Sequence, residues 1–75
     1  MIRWYVRGIS SGWAGVVEWH PDLLEKNCYY FPRWPDQRGV TRFSKSASGV
    51  RDAVECGAWR EAPEMCPDLM LDAGI

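Results

Sequence analysis

The strongest constraint on the fold is an alternation of side chains near the N-terminus, which has the period of a half-buried β-strand. Two segments, residues 2–7 and 13–19, show this alternation, and Gly8 and Gly12 flank the turn between them. The pattern predicts a β-hairpin over residues 2–19. Its inward face is expected to carry Trp4, Trp13, Val17 and Trp19, and the opposite face of the first strand Arg3, Tyr5 and Arg7.

A second hairpin is predicted between residues 28 and 43. Residues 28–31 (CYYF) have high β-propensity, Pro32 ends this strand because proline cannot donate to a sheet ladder, and residues 40–43 return. The tip carries three candidate partner-binding residues: Arg33, Trp34 and Arg38. An exposed Trp34 beside arginine, on a loop stiffened by prolines, has the composition of a protein-binding hot spot. The other interpretation is that Trp34 folds back over the edge of the sheet.

The segment 44–62 changes to the period of a helix. Its apolar residues fall on one helical face: Val50, Ala53 and Val54. Ser46 or Ser48 is the expected N-cap. Gly57 is unfavourable inside such a run, because glycine costs about 1 kcal/mol relative to alanine in a helix interior. We therefore expect one helix after the two hairpins.

This order of elements predicts the α+β class. The expected fold is a small antiparallel sheet of three to four strands, formed by two hairpins and covered on one face by a single C-terminal helix. Residues 1–62 are predicted to form a single α+β domain. Residues 63–75 are predicted to be an irregular acidic and hydrophobic tail, because Pro63 and Pro67 punctuate it.

Composition limits the class of protein. A chain of 75 residues buries only about 60% of its unfolded surface, and five tryptophans supply the large apolar side chains that such a small core needs. No apolar run is long enough for a membrane span, and Arg3 and Arg7 interrupt any signal-peptide core. The three cysteines are too few and too widely spaced for a secreted disulfide scaffold. We expect a cytoplasmic protein with reduced thiols and no membrane contact.

Catalytic and metal-binding patterns are not evident. The possible zinc ligands His20, Cys28, Cys56 and Cys66 include no pair closer than eight residues, whereas structural zinc sites take ligands in close pairs. With a single histidine, nucleophilic catalysis would have to depend on His20. No nucleophile elbow, phosphate-binding loop or dinucleotide fingerprint occurs. The expectation is a protein that is not an enzyme and has no cofactor and no metal.

The charges are divided between the two parts of the chain. Residues 1–51 carry eight Lys and Arg against four Asp and Glu, whereas residues 52–75 carry one Arg against six acidic residues. Four of those acidic residues are candidate partner-binding residues: Asp52, Glu55, Glu61 and Glu64. Carboxylates in this number could occupy a basic groove that normally holds nucleic acid. The other interpretation is a solvated face that partly neutralises the basic part.

The function expected from these features is non-catalytic binding of a protein partner, as an inhibitor or adaptor. The partner would be a nucleic-acid-binding protein or complex if the acidic segment blocks its basic surface. Inhibitors that viruses and mobile elements encode against host defence, such as anti-CRISPR proteins, work in ways that this chemistry permits. One alternative is a small nucleic-acid-binding module, with aromatics and arginines on an open sheet face formed by Arg3, Tyr5, Arg7 and Arg42. The low pI of about 5.7 argues against that alternative. A structural subunit of an assembly is the third hypothesis.

Overall fold

Five strands and one α-helix form the fold in a computed structural model, which describes residues 1–9, 12–36 and 38–67. The elements are β1 (Arg3–Ile9), β2 (Gly12–Trp19), β3 (Cys28–Phe31), β4 (Thr41–Phe43), α1 (Ala47–Glu55) and β5 (Trp59–Glu61), followed by a 3₁₀ helix at Pro63–Met65. The strands form one antiparallel sheet in the order β4-β3-β2-β1-β5. The α+β class, both hairpins and the single helix are confirmed, and the sheet has one strand more than predicted.

The additional strand β5 lies where the sequence pattern predicted the end of the helix. Helix α1 begins at the predicted cap, since Ser46 accepts a hydrogen bond from the Gly49 N–H at 3.1 Å. It ends at Glu55 because Gly57 adopts a left-handed backbone conformation with φ of +83°, which glycine tolerates best. The chain then turns back to the sheet, and the Gly8 N–H donates to the Ala58 carbonyl at 2.6 Å. Gly57 is therefore a helix terminator.

A β-bulge changes the direction of one tryptophan. In the first hairpin Arg7 pairs with Gly15, but Gly8 pairs with Trp13, so Ala14 is an extra residue in β2. The side-chain alternation is interrupted at this point. Trp13 consequently lies on the opposite face from Val17 and Trp19, and it remains 54% exposed. The expectation that Trp13 faces the same core as Trp19 was wrong.

The main core lies between the sheet and α1. Its buried residues are Tyr5, Val17, Trp19, Cys28, Val50, Ala53 and Trp59, with Tyr30 and Phe43 packed against them. Val17, Trp19 and Phe43 therefore lie on the predicted side. In β1, however, the covered face carries Tyr5, which is only 3% exposed, and Trp4 lies on the other face. Strand alternation places Arg3 and Arg7 on the same covered face as Tyr5. Both remain exposed, because their long side chains extend past the core to solvent.

A second apolar cluster lies on the sheet face that α1 does not cover, called the helix-free face below. Val6, Val16 and Ala62 are its buried residues, and Trp4, Trp34 and Met65 pack against them. Trp34 lies 5.3 Å from Trp4 and 5.1 Å from Phe31 between ring centroids. The loop after β3 has thus folded back over the sheet, which is the second of the two interpretations of this residue.

The described part of the predicted tail follows the same face. Pro63–Met65 form the 3₁₀ helix, and Met65 is half-buried against the second cluster. The rest of the predicted tail, residues 68–75, lies outside the described residues. No helix in the described residues is long and apolar enough to cross a lipid bilayer.

Candidate partner-binding surfaces

The candidate residues of the second hairpin separate into two places. Arg33 and Trp34 line a groove on the helix-free face, where Arg33 is exposed and Trp34 is half-buried. Arg38 is not among the residues that line this groove; it is almost fully exposed, and its backbone N–H donates to Asp36 Oδ1 at 3.1 Å. The expectation of a protruding Trp34 was wrong, because its indole ring packs on Trp4 and Phe31. Trp34 is a wall of the groove.

The four candidate carboxylates do not form one acidic surface. Glu61 accepts a hydrogen bond from Arg3 at 2.9 Å on the side of α1, and Glu64 accepts one from Arg60 at 2.9 Å on the helix-free face. Hydrogen bonds from its own backbone N–H and from Arg60 hold the pKa of Glu64 below its usual value. Asp52 and Glu55 are exposed on α1. Asp52 lines a groove on one flank of the helix, and Glu55 lines a groove on the other flank together with Glu61.

The helix-free face offers an exposed aromatic anchor that the sequence pattern did not identify. Trp13 stands beside the groove of about 260 Å³ whose other walls include Arg33, Trp34 and Met65. The Arg60 guanidinium lies over the Trp13 ring, 5.7 Å from its centroid, and is held there by its hydrogen bond to Glu64. The stacking of arginine on tryptophan and the ion pair favour this arrangement of both side chains. The bulge at Ala14, which has no distinctive sequence signal, creates this anchor.

The same face carries a second aromatic and arginine pair at its other edge. The Arg42 guanidinium lies 5.8 Å from the centroid of the Tyr29 ring, which His20 contacts edge-on at 5.1 Å. His20 Nε2 is hydrogen-bonded to Glu18 Oε1, and both side chains are about four-fifths buried. Cations and aromatic rings thus occur at both edges of the helix-free face.

A larger groove of about 750 Å³ lies between α1 and the sheet. Arg7 and Lys45 line it together with Asp52. The Arg7 guanidinium lies 5.1 Å from the Tyr30 ring centroid, and Lys45 Nζ lies 5.0 Å from the Trp59 ring centroid. These cations contact aromatic faces, whereas the ion pairs of the described residues involve other side chains.

The three cysteines have different environments. Cys28 is fully buried in the main core, and burial raises the pKa of its thiol to about 11. Cys56 is exposed at the end of α1, with its Sγ 3.5 Å from the Ala53 carbonyl oxygen, and Cys66 is half-buried. All three are free thiols. Within the described ranges, no three His, Cys, Asp or Glu side chains are grouped as a metal site would require.

Aliphatic side chains are exposed at the end of the sheet where β1 begins. Met1, Ile2, Leu23 and Leu24 are exposed there, and Leu24 is fully so. The Met1 amino group lies 2.7 Å from Asp22 Oδ2, which brings the start of the chain next to this loop. These residues form a surface separate from the helix-free groove.

Comparisons of the chain with protein-family models, with curated proteins and with solved structures gave no match.

Proposed function

We propose that this chain is a non-catalytic protein-binding domain, an inhibitor or adaptor that engages its partner through the helix-free face. The observation that carries the proposal is the exposed Trp13, with Arg60 stacked on its ring at the edge of a groove. Tryptophan and arginine are the residues most enriched in binding hot spots, and such anchors sit beside pockets that exclude water. Arg33 and Trp34, both candidates from the sequence, belong to the same surface.

The exposed part of Trp13 is large enough to matter energetically. A buried tryptophan removes up to roughly 250 Å² from water, so covering the exposed half would remove roughly 130 Å² and contribute about 3 kcal/mol. Arg60 is held by Glu64 at 2.9 Å before any partner arrives. Less side-chain entropy is therefore lost when a partner covers this pair.

A more specific form of the proposal is that the protein blocks a basic nucleic-acid-binding surface of its partner. It has support from Asp52 and Glu55, which are exposed on α1 and have no ion pair among the described residues. Glu61 and Glu64 give weaker support because each already pairs with an arginine. In this form the protein acts like the inhibitors of host defence that viruses and mobile elements encode, such as anti-CRISPR proteins. The free thiols support a place in the reducing cytoplasm.

Affinity capture from the native host, followed by quantitative binding to the captured protein, tests the proposal. Trp13→Ala should weaken binding at least about tenfold, mainly through faster dissociation, because a desolvated anchor acts in the bound state. Leu24→Ala is the matched control, since it removes a fully exposed apolar side chain elsewhere. Equal affinity of the Trp13→Ala and Leu24→Ala variants would refute binding through the helix-free face.

Contact between the exposed carboxylates of α1 and a basic surface of the partner, called the acidic form of the proposal, has its own test on the same complex. Charge reversal at Asp52 and Glu55 together should slow association and flatten its salt dependence, because exposed charges steer encounter within a Debye length of about 8 Å. The control reverses Glu25, an exposed carboxylate in the loop between β2 and β3. If both sets of reversals leave association unchanged at low salt, the acidic form is wrong, whatever the result for Trp13.

A further inference from the structure

The groove between α1 and the sheet has a composition that differs from the helix-free face. Residues from β1, β4, α1 and β5 meet there around a volume of about 750 Å³, which is within the range of small-molecule sites. The residues that matter for its chemistry are Arg7, Thr41, Phe43, Lys45, Asp52 and Trp59. Two of them are cationic, one is acidic, and the two aromatic residues give it an apolar wall.

The two cations are not neutralised by the protein. Neither Arg7 nor Lys45 forms an ion pair with a carboxylate in the described part of the chain, and each is positioned over an aromatic ring instead. The first turn of α1, which begins beside Lys45, carries no acidic side chain. Asp52 is the one carboxylate among the lining residues, and it is exposed. The groove therefore has an excess of positive charge although the whole chain has a net charge of −1.

We propose that this groove binds a phosphate-bearing ligand. A phosphate carries up to two negative charges and accepts hydrogen bonds from guanidinium, ammonium and hydroxyl donors together. Arg7, Lys45 and Thr41 supply one donor group of each kind along the same groove. The apolar wall formed by Phe43 and Trp59 would contact the organic part of the ligand. A free organic phosphate and the phosphodiester backbone of a single-stranded nucleic acid both present negatively charged phosphate oxygens, and binding experiments distinguish these two sources.

This inference does not depend on partner binding through the helix-free face. Trp13 and Arg60 lie on the helix-free face, whereas Arg7 and Lys45 lie on the side of the sheet that α1 covers. A protein partner at the first surface and a phosphate in the second can be gained or lost separately. Trp13→Ala should leave phosphate binding unchanged, so failure of one proposal is distinguishable from failure of the other.

Titration of ¹⁵N-labelled protein with pyrophosphate, adenosine monophosphate and a short oligothymidylate tests the inference. We expect saturable shifts of amides near Thr41, Lys45 and Asp52, with a Kd of about 1 mM or tighter for at least one probe. Lys45→Gln and Arg7→Gln should each weaken binding at least about threefold, and Asp52→Asn should strengthen it. Arg51→Gln removes an exposed charge on the other flank of α1 and should change the Kd by less.

The outcomes separate the alternatives. One outcome is that the oligonucleotide binds more tightly than the two small probes, with shifts at the same amides; this identifies a nucleic-acid strand as the source of the phosphate. Comparable binding of all three probes identifies a small organic phosphate. Absence of saturable binding by all three probes overturns the inference. An equal rise in Kd for the Arg51→Gln and Lys45→Gln variants also overturns the inference, because a nonspecific electrostatic attraction would then account for the binding. Melting curves of each variant confirm that the fold is retained.

Discussion

Replacement of Gly15 by alanine is the sharpest test of the sheet. This glycine lies in β2 opposite Arg7 and beneath the side chain of Tyr30. A Cβ atom at this position would lie 2.7 Å from the Phe31 carbonyl oxygen and 2.8 Å from Tyr30 Cε2. The carbonyl is backbone of the neighbouring strand and cannot rotate away. Tyr30 is also fixed, because its hydroxyl donates to the Ala14 carbonyl at 3.2 Å and Arg7 stacks on its ring.

Gly15→Ala should therefore destabilise the fold through overpacking. Overpacking of a well-packed site costs about 1–3 kcal/mol, out of a total stability of roughly 4–11 kcal/mol for a chain of 75 residues. At about 4–8 °C per kcal/mol for a domain of this size, the melting temperature should fall by at least about 4 °C. The backbone at Gly15 has no left-handed conformation, so the cost is steric.

Gly49→Ala is the matched control for this prediction. An added Cβ in α1 would meet Lys45 Cγ and the Ser46 hydroxyl at 3.2 Å, and the lysine chain can move. Alanine has the higher intrinsic helix propensity, so the melting temperature should change by less than for Gly15→Ala. Thermal unfolding followed by circular dichroism measures both variants. A Gly15→Ala protein at least as stable as the wild type would refute the β2–β3 packing described above.

Three further predictions concern the core and the thiols. Tyr5→Ala should cost about 3–5 kcal/mol in chemical denaturation, whereas Arg3→Ala should cost below 1 kcal/mol, and similar losses would contradict the burial of Tyr5 in the core. Iodoacetamide should modify Cys56 in the native protein and leave Cys28 unmodified until unfolding, as mass spectrometry would show; rapid modification of Cys28 would contradict its burial. Stability should fall as the pH rises from 9.0 towards 11, because burial raises the pKa of Cys28 to about 11 and the unfolded chain ionises first. Burial also raises the pKa of Tyr5 above 10.0, which acts in the same direction, and constant stability across this range would contradict both shifts.

The elements with a clear local signal were predictable from the sequence. Alternation and glycine placement identified the first hairpin, Pro32 marked the end of β3, and Ser46 capped the helix as expected. These features depend on neighbouring residues alone. The short strand β5 has no such signal, because three residues are too few to show a period and it is stabilised by pairing with the distant β1.

The exposed and buried faces were harder to assign. Alternation in β1 separates Tyr5 from Trp4 correctly, but the choice between the two faces depends on where α1 packs. The arginines beside Tyr5 suggested an open face, yet their side chains extend beyond the edge of the core. The bulge at Ala14 then places Trp13 on the face opposite to the one that alternation predicts. The candidate anchor of the helix-free face thus depends on tertiary contacts that local patterns do not contain.

Pairing of β5 with β1 has a consequence for the order of folding. Tyr5 pairs with Glu61, so the outer edge of the first strand waits for residues that are synthesised 56 positions later. Until then β1 presents free N–H and C=O groups, and its core tyrosine lacks the contact with Trp59. Closing so long a loop also slows folding of the domain. A nascent chain that stalls before residue 59 would therefore expose an open sheet edge, and such intermediates are the ones most prone to aggregate.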